Sequence, residues 1–166
     1  MAIWACLLIA VLLILSPMVW LRPSPGETLR SRLRQYVRRH GGELDFTRAP
    51  LARPDIALIG YRLRYPIDEK GAAFVLVRNR VASEALDAAT PDWRWREVPL
   101  PSLDDARHQA LAAWLESLPD DVLVVESREQ TLRVWWQEGV GLERFEREWP
   151  TWLAMRDTLA GSGRKG

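Results

Sequence analysis

Six arginines stand at alternate positions of three extended segments, and their type and spacing suggest binding chemistry. Arg62 and Arg64, Arg78 and Arg80, and Arg94 and Arg96 are each two residues apart, so in a β-strand each pair points to one face. If the three strands pair in matching register, the six form one basic sheet face that could hold phosphates of nucleic acid or lipid, or an acidic partner protein. The competing reading is the solvated face of an antiparallel sheet, partly covered by a helix over Leu58, Phe74 and Leu76, with arginine stems packed on aromatics. A one-residue slip in register would abolish the patch.

Signatures of catalysis are missing. His40 ends a basic helix and His108 lies in the first half of a polar-faced one, and neither has a partner at metal-ligand spacing. Cys6, the only cysteine, lies in an apolar segment and can form no internal disulfide. The acidic pairs Asp104/Asp105, Asp120/Asp121 and Asp68/Glu69 fall at a helix start and two turns, where carboxylates serve capping and solvation. Ser83, Ser102, Ser117 and Ser127 lack a nucleophile elbow, and Gly139-Val140-Gly141 lacks the third glycine and the lysine of a phosphate loop. The sequence therefore leads us to expect no catalytic residue, no metal site and no cofactor.

The strongest organisational signal is at the amino terminus. Residues 1–21, MAIWACLLIAVLLILSPMVWL, carry no charge, and as a helix they would span roughly 30 Å, the thickness of a bilayer's hydrocarbon core. Trp4 and Trp20 lie near its ends, where indoles prefer the headgroup level. A basic n-region and a small-residue cleavage site are both lacking, so the segment is expected to stay as an anchor. Arg22, Arg30, Arg32, Arg34, Arg38 and Arg39 follow it, against the single acid Glu27. By the positive-inside rule the amino terminus is expected outside and the rest of the chain in the cytoplasm of a bacterial inner membrane. These six arginines are the candidate membrane-surface residues.

With the six removed from 23 basic residues and Glu27 from 22 acids, the rest of the chain stands at −4. About 145 residues remain beyond the anchor, enough for one domain. Seven of the nine tryptophans lie in that part, and core packing is the preferred reading of them over a ligand cage.

Periodicity places the elements. Glu27 to His40 reads as an amphipathic helix with Leu29, Leu33, Tyr36 and Val37 on one stripe, ended by Gly41-Gly42; the stripe either docks on the domain or leaves the helix lying on headgroups. Short apolar alternation then suggests strands at 43–46, 56–65, 73–80 and 92–98, with Asp68 to Gly71 a hairpin turn between the second and third and glycine in the left-handed position. Residues 82–90 fit either a loop or a short helix. Ser102 and Asp105 resemble a capping box opening a helix to Leu118, with Ala106, Ala110, Ala113, Trp114 and Leu118 on its inner face. A second hairpin spans 122–136 around Ser127 to Gln130, and a final helix covers 140–160, with Pro150 either kinking it or starting a second piece.

Leu21-Arg22-Pro23 directly after one apolar span is similar to the same stretch in the small accessory subunit of the bacterial preprotein translocase. The rest of the chain departs from that family in length, tryptophan content and helix count, so no functional residue is carried over.

The resulting expectation is an α+β protein: a transmembrane anchor (1–21), a basic juxtamembrane amphipathic helix (22–42), a small cytosolic domain (43–160) whose antiparallel sheet is packed by two or three helices, and a disordered tail (161–166). Surplus tryptophan and arginine favour an accessory or scaffold role, with the domain binding a protein partner at the membrane. A tethered binder of nucleic acid or anionic lipid, or a membrane-anchored enzyme with an unfamiliar site, are the alternatives.

Overall fold

A computed structural model describes residues 25–53 and 55–163. The apolar segment 1–21, Arg22 and residues 164–166 lie outside the described residues. Among the described residues no helix is long and apolar enough to cross a membrane.

The elements run α1 (Pro25–Arg39), β1 (Glu43–Asp45), β2 (Ile59–Arg64), β3 (Ala73–Arg78), β4 (Asp87–Thr90), β5 (Trp93–Leu100), α2 (Asp105–Ser117), β6 (Val122–Arg128), β7 (Thr131–Trp136) and α3 (Leu142–Leu159). The seven strands form one antiparallel sheet in the order β1-β2-β7-β6-β3-β5-β4. The chain is thus an α+β fold, with three helices among the described residues.

The main core lies between sheet and helices. Ile59, Tyr61 and Leu63 of β2, Leu132, Val134 and Trp136 of β7, and Phe74 and Leu76 of β3 meet Leu33 and Val37 of α1, Leu111, Trp114 and Leu115 of α2, and Phe145, Trp149, Trp152, Met155 and Leu159 of α3. Phe145 stacks on Trp136 at 5.2 Å between centroids and meets Trp152 edge-on at 5.4 Å, arrangements that exploit the ring quadrupoles. Six of the seven tryptophans beyond the apolar segment are buried and the seventh, Trp95, packs edge-on against Phe74.

Sheet order differs from the expectation at one decisive place. β2 and β3 do not form a hairpin, because the β6–β7 hairpin lies between them. That hairpin closes through the two-residue turn Glu129-Gln130 and is apolar on both faces, with Val125, Val134 and Trp136 towards the helices and Val124 and Trp135 away from them. A hairpin apolar on both sides belongs at the centre of a sheet. The segment 65–72 instead crosses its tip: Gln130 O accepts from Tyr65 N and Glu129 O from Gly71 N. The left-handed position in this segment is Asp68, at φ 67°, whereas Gly71 is needed for space, since a Cβ there would stand 2.4 Å from the Tyr65 ring.

Local differences have local causes. Residues 87–90 form β4, an edge strand with no apolar alternation that exists by pairing with β5. The α2 cap is Asp104, whose side chain accepts from Arg107 N, rather than Ser102. Leu111, Trp114 and Leu115 form its buried stripe, whereas Ala106 and Ala113 face outwards. Pro150 sits inside one continuous helix, on its exposed side, where water can serve the carbonyl that its missing N–H leaves free. Residues 161–163 are ordered in a turn, correcting the expected tail over that stretch: the buried Ser162 hydroxyl donates to Leu159 O and accepts from Ala72 N, while Gly163 N donates to Lys70 O.

Candidate functional site

The second sheet face, opposite the helices, is where the arginine pattern has to be judged. β2 presents Arg62 and Arg64 there, in register with Glu43 of β1 and Arg133 and Thr131 of β7. Arg62 binds Asp45 Oδ2 at 2.5 Å and Glu43 at 3.5 Å, and Arg64 Nε donates to Glu43 Oε1 at 2.6 Å. Across β7 and β6, Arg133 reaches Asp45 at 3.6 Å and Glu126 at 3.4 Å; Arg128 pairs with Glu126 at 2.8 Å and with Glu97 of β5 at 2.6 Å. Four guanidiniums and four carboxylates therefore alternate across the face.

The titration shifts follow from this lattice. Burial works to raise the Asp45 carboxyl, but hydrogen bonds from Thr47 and Arg62 prevail and hold it at about 2. Glu97 is lowered by its hydrogen bonds from Arg128, and Glu43 by those from Arg64. A phosphate approaching this face would have to displace internal carboxylates from their partners.

Beside the lattice, the loop before β2 closes the rest of the face. Ala49, Leu51, Ile56 and Leu58 pack on Val75, Val77, Leu123, Val124 and Trp135 as a second, smaller core.

The other candidate arginines are not on this lattice. Arg78 lies on the helix face, because Phe74 and Leu76, rather than Val75 and Val77, point to the helices. It is buried, stacks 4.8 Å from the Trp93 ring, and donates to the carbonyls of Val122 at 2.9 Å, Pro119 at 3.0 Å and Leu118 at 3.2 Å. These include carbonyls left open at the end of α2. Burial pulls the Arg78 guanidinium below its usual range, against the opposing pull of Asp120 and Asp92. Arg80 falls beyond β3 in a 3-10 turn and donates to Asp120 O. Arg94 holds Asn79 Oδ1 and the carbonyls of Leu86 and Glu84. Arg96 is exposed on β5 at a register shift. The six thus make no single basic face: β2 and β3 are separated by two strands, and the alternation of β3 is inverted.

The arginines of α1 are placed differently. Arg22 lies outside the described residues. Arg30, Arg32, Arg38 and Arg39 are exposed, while Leu33 and Val37 are fully buried, so the stripe docks on the domain. Arg34 alone turns inwards. Its Nε and Nη2 donate to Glu138 at 2.9 and 2.6 Å, and the Tyr61 hydroxyl donates to the same carboxylate at 2.7 Å. Burial, then the hydrogen bond to Glu138, pushes the Tyr61 phenol well above its usual range, and the Glu138 hydrogen bond raises Arg34. Glu138 is itself buried, at φ 58° in the turn between β7 and α3. Sequence reasoning missed it, because a glutamate beside Gly139 reads as an ordinary turn residue.

Both flanks of α1 are grooved. One groove, about 640 Å³, is lined by Arg30, Arg34, Arg38 and Phe46; the other, about 780 Å³, by Leu29, Arg32, Leu142, Arg144 and Arg147.

At the opposite edge of the sheet, β4 ends against Trp95 of β5. Beyond that point β5 has a strand on one side only among the described residues, and Val98 and Leu100 there are 60% and 73% exposed. Sequence reasoning passed over both: it ended this strand at Val98, before Pro99 and Pro101, whereas β5 runs on to Leu100.

His40 stacks on Tyr36 and bonds its carbonyl, and His108 lies 6.1 Å from Trp95. No group of histidines, cysteines and acids that could hold a metal occurs among the described residues. Comparison with protein-family models, with curated proteins and with solved structures finds no match to this chain.

Proposed function

We propose that the protein is a single-pass accessory or scaffold protein of a bacterial inner membrane, amino terminus outside, whose cytosolic domain docks a protein partner. The observation that carries the partner half of this reading is the unpaired end of β5. Val98 and Leu100 stand two residues apart on one strand and leave apolar surface in water at a sheet edge, a feature that marks interaction sites. Pro99 and Pro101 withhold backbone donors there, which discourages indiscriminate strand addition and leaves recognition to the side chains. Support for the anchor half is the uncharged run 1–21 with arginines on one flank. The five strand spacings from β1 to β5 set the docking edge about 24 Å from the α1 edge.

The alternative of anionic-ligand binding through the sheet face loses its support in the lattice, where each of Arg62, Arg64, Arg128 and Arg133 is already paired.

The test is a photo-crosslinking residue placed at Val98 in the tagged full-length chain, irradiated in its own membranes. The expected result is one adduct of fixed mass, absent when the probe is at Ser31 on α1 and lost when Leu100→Asp is added. No adduct at position 98 or 100, with the chain recovered alone in several detergents, would overturn the reading.

A further inference from the structure

We infer that α1 lies in the plane of the membrane, its exposed side seated on anionic phospholipid headgroups, so that the domain is held in one orientation. This rests on the anchor half of the reading above and goes beyond it.

Three observations converge. First, the arginines of α1 are unspent. On the sheet face every guanidinium of the lattice meets an internal carboxylate, whereas Arg30, Arg32, Arg38 and Arg39 donate to no acceptor among the described residues and point into water.

Second, they are arranged around one crown. With Leu33 and Val37 buried below, 100° per residue puts Ser31 and Gln35 at the top of the helix, Arg30, Arg34 and Arg38 on one flank and Arg32 and Arg39 on the other. Each flank opens into a groove in which arginines outnumber acids: Glu27 lines the first beside Arg30, Arg34 and Arg38, and Glu143 the second beside Arg32, Arg144 and Arg147. Phe46, 67% exposed, lines the first beside Arg34, whose guanidinium is 5.7 Å from its ring. With the apolar stripe spent on the domain, the attraction to the surface is electrostatic, each exposed arginine near anionic headgroups being worth about 1 kcal/mol.

Third, the chain outside the structure sets the distance. Only Arg22, Pro23 and Ser24 separate Leu21 from Pro25, so α1 starts within about 14 Å of the last apolar residue. A helix that begins so near the surface, and whose opposite side is fixed to the domain by Leu33, Val37 and the Arg34–Glu138 pair, brings that domain down with it.

The experiment uses the full-length chain with Cys6→Ser and a nitroxide on Ser31→Cys. It is reconstituted in vesicles of phosphatidylcholine alone or mixed with phosphatidylglycerol. A second label at Ser83→Cys, exposed before β4, reports the far edge. At about 0.1 M salt the Ser31 label should be shielded from a water-soluble relaxant in the mixed vesicles only. It should be released at about 1 M, where the screening length falls to about 3 Å. The Ser83 label should stay in water throughout. Arg30→Gln with Arg38→Gln should lower the seated-to-unseated ratio by roughly 30-fold, the effect of losing two basic side chains near an anionic surface, with an unchanged thermal transition. A Ser31 label equally exposed in both vesicles, or equally shielded in both, overturns the inference while the anchor reading stands. A chain that fails to float with the vesicles after alkaline washing overturns both.

Discussion

Replacing Glu138 by alanine should loosen α1 specifically. In the native protein this carboxylate accepts from Arg34 Nε and Nη2 and from the Tyr61 hydroxyl, so its removal orphans two donors of different exposure. The Tyr61 hydroxyl is buried and loses its acceptor, costing about 2 kcal/mol. Arg34 is partly exposed and recovers most of its solvation, which limits its share to about 1 kcal/mol. The total of about 3 kcal/mol is set against roughly 5 kcal/mol from burying Leu33 and Val37. The helix therefore stays docked most of the time but opens about a hundredfold more often. Opening also lets water reach Tyr61, so the penalty drives this motion rather than global unfolding. Hydrogen–deuterium exchange on the full-length chain in detergent micelles, followed by mass spectrometry, should find faster exchange over Pro25–Arg39 and unchanged exchange in β6 and β7. The backbone supplies an internal control. At φ 58° any residue but glycine is strained by about 1 kcal/mol, so Glu138→Gly should be milder than Glu138→Ala by that amount. If α1 exchanges as slowly in Glu138→Ala as in the native chain, the buried carboxylate does not fasten the helix and the reasoning is refuted.

Three further outcomes can be checked by urea unfolding of the same protein. Arg78→Met strips the carbonyls of Leu118, Pro119 and Val122 of their donor and should cost about 3 kcal/mol, whereas Arg94→Met, nearer the surface, should cost about 1; equal losses would refute the distinction. Because Asp45 titrates at about 2 when folded against an ordinary 3.8, its contribution of about 2 kcal/mol is present above pH 4 and lost as the pH falls towards 2. Asp45→Asn should flatten that acid slope, and an unchanged slope would remove Asp45 as its source. Gly71→Ala, whose methyl would meet the Tyr65 ring, should cost about 3 kcal/mol, against about 1 for Gly41→Ala, where only a φ of 82° is at stake. A smaller loss at Gly71 than at Gly41 would contradict the packing argument.

Reading arginines from the sequence succeeded on some strands and failed on another for one reason. On β2, Ile59, Tyr61 and Leu63 alternate with Gly60, Arg62 and Arg64, and on β5 Trp93 and Trp95 alternate with Arg94, so polarity reveals the face. β3 reads Ala-Phe-Val-Leu-Val-Arg, apolar on both sides, because it lies inside the sheet with a core on each face. Alternation carries no sign in such a strand, and Arg78 went to the wrong face with it. The same ambiguity hid the insertion of β6 and β7 between β2 and β3.

By itself, the sequence determined the three described helices, six of the seven strands, and the buried fate of most tryptophans. Those features rest on local periodicity and turn chemistry, which act over a few residues. Only the tertiary structure decided the strand order, the pairing of Arg62 and Arg64 with acids from other strands, the burial of Glu138 against α1, and the exposure of Val98 and Leu100. Each of these depends on which distant segment arrives at a given neighbour, and sheet pairing is set by the burial of whole faces rather than by sequence proximity.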